Sequence, residues 1–293
     1  MIQLLQHPVY GIALLTLLGL CVGSFLNVVI LRFPRMLKQQ WHQQCEELLS
    51  QDQPTKTNKP TEKESSFNLN FPASHCPQCK NPLKLWHNIP LLSYVFLAGR
   101  CAWCKQPIPW RYPFVELVTA LGTGYLAYKF GISWQLLGSL LLFWSLICLT
   151  GIDFDHQLLP DDITIPLVWA GLIANYFEVF TNLESAVIGA VAGYLGFWLI
   201  FQVHYRLTGR QGLGYGDFKL LGALGAWLGW QSLPLIILLA SVAGTLVTLC
   251  MMGLGKIEGR APISFGPYLA LAGLVALLWG NQLTNSYVQI LGF

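Results

Sequence analysis

Charge is what this sequence has least of. Only 11% of its 293 residues are Asp, Glu, Lys or Arg, while 54% are hydrophobic and the mean hydropathy is +0.51. A soluble domain carries about 25% charged residues, so the composition excludes an ordinary water-soluble fold and indicates a polytopic membrane protein. With a net charge of only +3, bulk charge gives no argument for nucleic acid as a partner. His-Glu-x-x-His, Walker and Ser–His arrangements are missing, which removes the usual metalloprotease, nucleotide-hydrolase and serine-hydrolase chemistries. A cleavable signal peptide is not expected: the first apolar segment is too long for one, and no small-residue cleavage site follows it. No long internal repeat is evident.

What is present is a series of apolar segments. They run Val9–Leu31, Phe114–Tyr128, Trp134–Ile152, Ile163–Phe180, Ala186–Val203, Phe218–Trp230, Leu233–Leu254 and Phe265–Gly280. Spanning a bilayer takes about 20 apolar residues, so the expected fold is all-α and polytopic, with about eight transmembrane helices. The spacings Gly189-x3-Gly193, Gly225-x3-Gly229 and Ala240-x3-Gly244 predict close helix–helix packing. Asn27, after Gly23-Ser24 in the first segment, reads as a helix contact or as a group near a site. With the N-terminus outside, the loops 32–113, 153–162, 204–217 and 255–264, together with Lys219, hold 16 of the 17 Lys and Arg. The positive-inside bias therefore makes those loops cytoplasmic. Three regions are expected: 1–31 as the first transmembrane helix, 32–112 as a cytoplasmic domain, and 113–293 as a seven-helix membrane domain.

The polar region holds eleven of the Lys and Arg. Leu37–Ser50 predicts a short amphipathic helix, and the polar stretch Gln51–Asn70 a mobile insert that buries little. Beyond it lie Cys76-x-x-Cys79 and, after 21 residues, Cys101-x-x-Cys104. Two such pairs close a tetrahedral thiolate site around Zn²⁺; unrelated thiols or two disulfides are the competing readings. Four thiolates leave no open position, so the metal would be structural, in a cytoplasmic zinc-knuckle loop domain. His75 and His87 flank the set as non-ligands. Cys21, Cys148 and Cys250 read as packing residues and Cys45 as a lone loop thiol.

Two aspartates stand at the cytoplasmic ends of apolar segments. Asp153 closes one, in Gly151-Ile152-Asp153-Phe154-Asp155-His156, and Asp217 opens another, in Gly214-Tyr215-Gly216-Asp217. A carboxylate at membrane depth is expensive and usually functional. Capping or solvated-loop roles compete for both, with Asp155, Asp161 and Asp162 close by. Two carboxylates sharing a site cannot both ionise easily, so one takes a proton from water while the other hydrogen-bonds a scissile carbonyl. Helix-end polarity makes Asp217 the expected base and Asp153 the expected acid, helped by Lys219 if it turns back. Glu116 reads as an interfacial or packing partner.

The segments Asp153–Asp161 and Gly214–Lys219 resemble the two active-site signatures of the bacterial type IV prepilin peptidases, which are Gly-x-Gly-Asp intramembrane aspartic proteases. Phe25–Ile30, the paired knuckles, Arg111–Glu116 and Phe265-Gly266-Pro267 are similar to that family too. The resemblance covers nearly the whole chain apart from the insert around 38–70. It implies a bifunctional enzyme of the bacterial inner membrane. Such an enzyme cleaves the leader of type IV prepilins and type II secretion pseudopilins at the cytoplasmic face. It then N-methylates the new N-terminal residue, commonly Phe, from S-adenosylmethionine. By resemblance Asp153 and Asp217 are the catalytic pair, and Cys76, Cys79, Cys101 and Cys104 the metal set. No S-adenosylmethionine pocket is recognisable in the sequence. Two alternatives stand beside this: a proton-coupled secondary transporter using the two aspartates, and a membrane-anchored zinc-ribbon binding module.

Overall fold

The structure, a computed structural model, describes residues 8–51, 68–76, 78–84, 86, 89–209, 214–255 and 264–291. Among these there is no β-strand; two isolated bridges accompany nine α-helices. The helices are α1 (Pro8–Gln51), α2 (Leu92–Phe96), α3 (Arg111–Phe130), α4 (Trp134–His156), α5 (Asp161–Tyr176), α6 (Leu183–Thr208), α7 (Tyr215–Leu228), α8 (Leu233–Gly253) and α9 (Gly266–Leu291). A 3₁₀ turn, Trp230–Ser232, leads into α8. Each predicted apolar segment falls mainly on one of the eight longer helices, with Ile163–Phe180 and Phe218–Trp230 running past the ends of α5 and α7. By length and composition, the stretches containing α1, α4, α6 and α8 are sufficient to cross a membrane. The chain divides into two compact units, Met1–Tyr128 and Lys129–Phe293.

In the first unit α1 runs unbroken for 44 residues, through Pro34. The separate helix expected at Leu37–Ser50 is instead its continuation. Leu, Lys, Gln and Glu there are strong helix formers, and their propensity outweighs the backbone bond lost at one proline. Cys45 accordingly lies on this helix rather than in a loop. The insert expected at Gln51–Asn70 falls mostly outside the described residues. Small residues set the contact between α1 and α3. A Cβ on Gly19 would stand 2.8 Å from Thr123 Cβ, and one on Gly23 2.8 Å from the Glu116 Cα. Asn27 is a helix contact, its Nδ2 donating to the Tyr112 carbonyl at 3.1 Å. Arg32 donates to the carbonyls of Asn68, Leu69 and Pro72, which pins the returning chain to α1.

The second unit is built around α7. From Leu220 onward this helix is apolar all round, the pattern of a buried helix; Phe218, Leu220, Ala223, Leu224 and Ala226 are wholly buried. Helices α5, α6, α8 and α9 pack on it. The glycine spacings act as predicted. A Cβ on Gly189 of α6 would be 2.4 Å from the Gly225 carbonyl oxygen, and one on Gly193 2.7 Å from that of Leu221. Backbone therefore lies against backbone. At the far end of α7, Trp227 Nε1 donates to the Leu167 carbonyl at 2.8 Å. The buried Asn175 amide donates to the carbonyls of Ala226 and Trp227 and accepts from the Phe180 and Thr181 amides. Helix starts follow ordinary capping: Ser133 Oγ accepts from Leu136 N–H at 3.1 Å, and Asn182 Oδ1 from Ser185 N–H at 2.8 Å. Of the three cysteines expected in packing, only Cys148 is buried; Cys21 and Cys250 lie on exposed helix faces.

Candidate active site and candidate metal site

Asp153 occupies the last turn of α4. That helix stops at Gln157, whose left-handed backbone (φ 51°) lets its N–H return to the Asp153 carbonyl at 2.9 Å. The chain then turns into α5 through Leu159-Pro160. Asp217 sits in the first turn of α7, three residues after the N-cap Gly214. Asp153 and Asp217 are both buried, 5% and 7% exposed.

Leu159 fixes this arrangement. A Cβ on Gly216 would meet Leu159 Cβ at 2.6 Å, and one on Gly266 would meet Leu159 Cδ1 at 3.2 Å. The leucine therefore fills the space left by two glycines, one on each carboxylate's side. The role of Gly216 is to admit Leu159, a use its spacing did not reveal. Each aspartate is held through one oxygen by a glycine amide. Gly214 N–H donates to Asp217 Oδ2 at 3.2 Å, and the buried Gly266 N–H donates to Asp153 Oδ2 at 3.1 Å. Among the described residues, neither Oδ1 accepts a hydrogen bond. Asp217 thus completes a capping interaction and still presents a free oxygen.

Two expectations about the pair need correction. Lys219 does not turn back to Asp217; its Nζ pairs with Asp161 Oδ1 at 2.5 Å, tying α7 to α5. Helix-end polarity also fails to separate the aspartates. Asp153 closes α4 but faces Gly266, the first residue of α9, so a helix N-terminus points at each carboxylate. Asp155, Asp161 and Asp162 are exposed. An aromatic wall flanks Asp217, with Tyr215, Phe201 and Phe218 in mutual ring contact at 5.1–5.6 Å.

In the first unit the four predicted cysteines converge, their Sγ atoms all within 4.8 Å of one another. Cys76 and Cys104 are 3.8 Å apart, and Cys79 and Cys101 4.0 Å. Thiolates about 2.3 Å from a tetrahedral zinc stand close to these separations, so the set fits that ion. Each pair rides on the same hairpin. Lys80 N–H donates to the Cys76 carbonyl and Cys76 N–H to that of Asn81; Lys105, Cys101 and Gln106 repeat the pattern. Lys80 and Lys105 take matching left-handed turns, φ 56° and 58°. Backbone amides of Cys104 and Trp103 lower the Cys101 thiol to about 6, and those of Cys79 and Gln78 lower Cys76. At Cys104 the Gln106 amide is outweighed by burial and the neighbouring sulfurs, which leave it at about 11. His75 Nδ1 lies 2.9 Å from the Ala73 carbonyl and away from the sulfurs, whereas His87 falls outside the described residues. Glu116 Oε2 accepts from the Leu91 N–H at 2.8 Å, a packing role that ties α3 to the turn before α2.

Apolar helices, two buried carboxylates at helix ends and a four-cysteine cluster together describe a polytopic membrane protein. The bacterial peptidase A24 N-terminal domain matches residues 17–130, and the type IV leader peptidase family matches residues 140–249. The chain is 49% identical over 290 residues to a prepilin leader peptidase/N-methyltransferase of Pseudomonas aeruginosa, covering 99% of this chain and 98% of that one. It is 50% identical over 287 residues to the protein of that name from Stutzerimonas stutzeri (98% and 96% covered). It is also 42% identical over 288 residues to that of Legionella pneumophila (97% of each). The chain belongs to the type IV leader peptidase family. No solved structure matches it.

Proposed function

We propose that Asp153 and Asp217 are the catalytic pair of a prepilin leader peptidase. The carrying observation is geometric: two buried carboxylates share one end of a helix bundle, each fixed through Oδ2 by a glycine amide with Oδ1 left free. One carboxylate, ionised, takes a proton from the attacking water. The other, protonated, hydrogen-bonds the scissile carbonyl and later passes its proton to the leaving nitrogen. No covalent intermediate is needed. Like charge at close range keeps the two from ionising together, so the proton belongs to the pair.

The chain is a membrane enzyme that cleaves prepilin leaders and N-methylates the product, as its relatives' names state. The methyl donor is S-adenosylmethionine. Our reading extends the substrates to type II secretion pseudopilins and places the enzyme in the bacterial inner membrane, with the dyad at the cytoplasmic face. The concentration of Lys and Arg on the loops of one side supports that orientation. Cys76, Cys79, Cys101 and Cys104 would hold one structural Zn²⁺, which ties the loop from residue 71 to 110 into a fixed shape. Along the chain, 1–31, 32–112 and 113–293 act as first span, cytoplasmic domain and catalytic membrane domain. Nothing in the relatives' names favours a transporter or a binding module.

The test is direct. Purified protein is incubated with a prepilin and S-adenosylmethionine, and the mass of the product's N-terminus is measured. Loss of the leader and gain of one methyl group are expected; an intact prepilin with a folded enzyme refutes the reading.

A further inference from the structure

A cavity of about 340 Å³ opens between α8 and the start of α9, within the range of ligand clefts. Its lining is unusual for its setting. The stretch carrying α8 is long and apolar enough to cross a membrane, yet five hydroxyl-bearing residues face the cavity: Ser241, Thr245, Thr248, Ser264 and Tyr268. Thr248 is self-satisfied, donating to the Gly244 carbonyl at 2.7 Å. Ser241, Thr245 and Ser264 make no side-chain hydrogen bond among the described residues. Tyr268 forms the wall, its ring placed where a Cβ on Gly244 would come within 3.3 Å.

The cavity also reaches, along the chain, the residue that holds one of the two carboxylates. Phe265 lines it, and the next residue, Gly266, holds Asp153 Oδ2 through its amide. A peptide bond is hydrolysed in an extended chain, and an extended chain leaves its N–H and C=O groups unpaired. At membrane depth such groups must find partners in the protein. Hydroxyls both donate and accept. Ser241 to Thr248 covers seven residues of helix, about 10 Å, the length of roughly three residues of extended chain.

We propose that this hydroxyl-lined groove receives the extended stretch of prepilin backbone next to the scissile bond, with Ser241, Thr245 and Ser264 taking the place of water on its peptide groups. The groove is a binding element; the chemistry stays with the aspartates. This inference rests on the carboxylate pair being the peptidase centre.

The experiment uses the full-length enzyme in detergent or nanodiscs with a purified prepilin. In Ser241→Ala/Thr245→Val the shape is nearly kept and two hydroxyls are lost. The KM for prepilin should rise about tenfold with kcat within about twofold, and Thr245→Ser alone should keep a near-normal KM. A photoreactive benzophenone residue in place of Thr245 should crosslink to the prepilin within a few residues of the cleavage point. An unchanged KM, a fall in kcat alone, a raised KM for S-adenosylmethionine in place of prepilin, or a crosslink only to lipid would each overturn the proposal. Asp153→Asn and Asp217→Asn test the peptidase centre by rate, so the groove and the centre can fail separately.

Discussion

The amide of Gly266 donates to Asp153 Oδ2 across 113 residues of chain, and the contact is buried. It makes the first residue of α9 part of the setting of a carboxylate at the end of α4. A Cβ at position 266 would lie 2.6 Å from that same oxygen, so the carboxylate and a side chain cannot both occupy the space. Gly266→Ala should displace Asp153 and lower the cleavage rate by about 10²-fold, the scale of a small misplacement in an active site. Methylation of an already cleaved pilin should persist. Parallel rate measurements on prepilin and mature pilin check this; equal loss of both would mean a folding defect instead.

Asp153→Asn and Asp217→Asn each keep size and remove the ionisable group. Each should cost at least about 10³-fold in cleavage rate, and the double variant should be scarcely worse, because groups acting as a unit are non-additive. Single-turnover cleavage of a prepilin measures all three. Near-normal cleavage by either single variant, shown to be folded, would end the dyad reading.

Replacing any one of Cys76, Cys79, Cys101 or Cys104 by Ser should lower the zinc content and loosen residues 71–110, since metal binding and local folding are one free energy. The pH dependence has a definite sign. Protons compete with metal for thiolates, so zinc should be held at neutral pH and released as the pH falls. The backbone donors that set Cys101 at about 6 and lower Cys76 keep part of the set ready as thiolate near neutrality. Metal analysis of protein equilibrated across pH 4–8 follows the release. Zinc-free protein with full activity and an ordered loop would refute the structural role.

Asn175 is bonded at both ends of its amide to four backbone groups around the end of α7. Asn175→Ala leaves buried carbonyls and amides unpaired. It should destabilise the second unit by roughly 2–3 kcal/mol, within the usual cost of such orphaned groups. Thermal unfolding in a fixed detergent measures the loss. An unchanged midpoint would show that other donors replace the amide.

Much of the fold was legible because membrane segments advertise themselves by length and hydropathy. The catalytic candidates were legible because Asp153 and Asp217 are charged where charge is rare. The cysteine site was legible from spacing alone. What escaped was whatever depends on a contact between distant elements. Asn175 resembles any amide in an apolar segment until its four backbone partners are seen. Gly216 and Gly266 are ordinary glycines until Leu159 is found between them. The partner of Lys219 was misread because Asp161 lies 58 residues away in sequence but next to it in space. Helix-end polarity misled for the same reason: the N-terminus of α9 that faces Asp153 is invisible from the α4 sequence.

The matching hairpins at Cys76–Asn81 and Cys101–Gln106 carry one more consequence. Each half makes its own turn and its own backbone bonds, so neither depends on the other for its shape. Two like halves facing across four sulfurs approximate a local twofold axis, with the metal position on it. The chain between the two hairpins carries α2, and Leu91 just before it is tied to Glu116. A residue gained or lost in that helix leaves both turns as they are, whereas a single insertion inside either hairpin would shift one sulfur relative to its mate and break the symmetry.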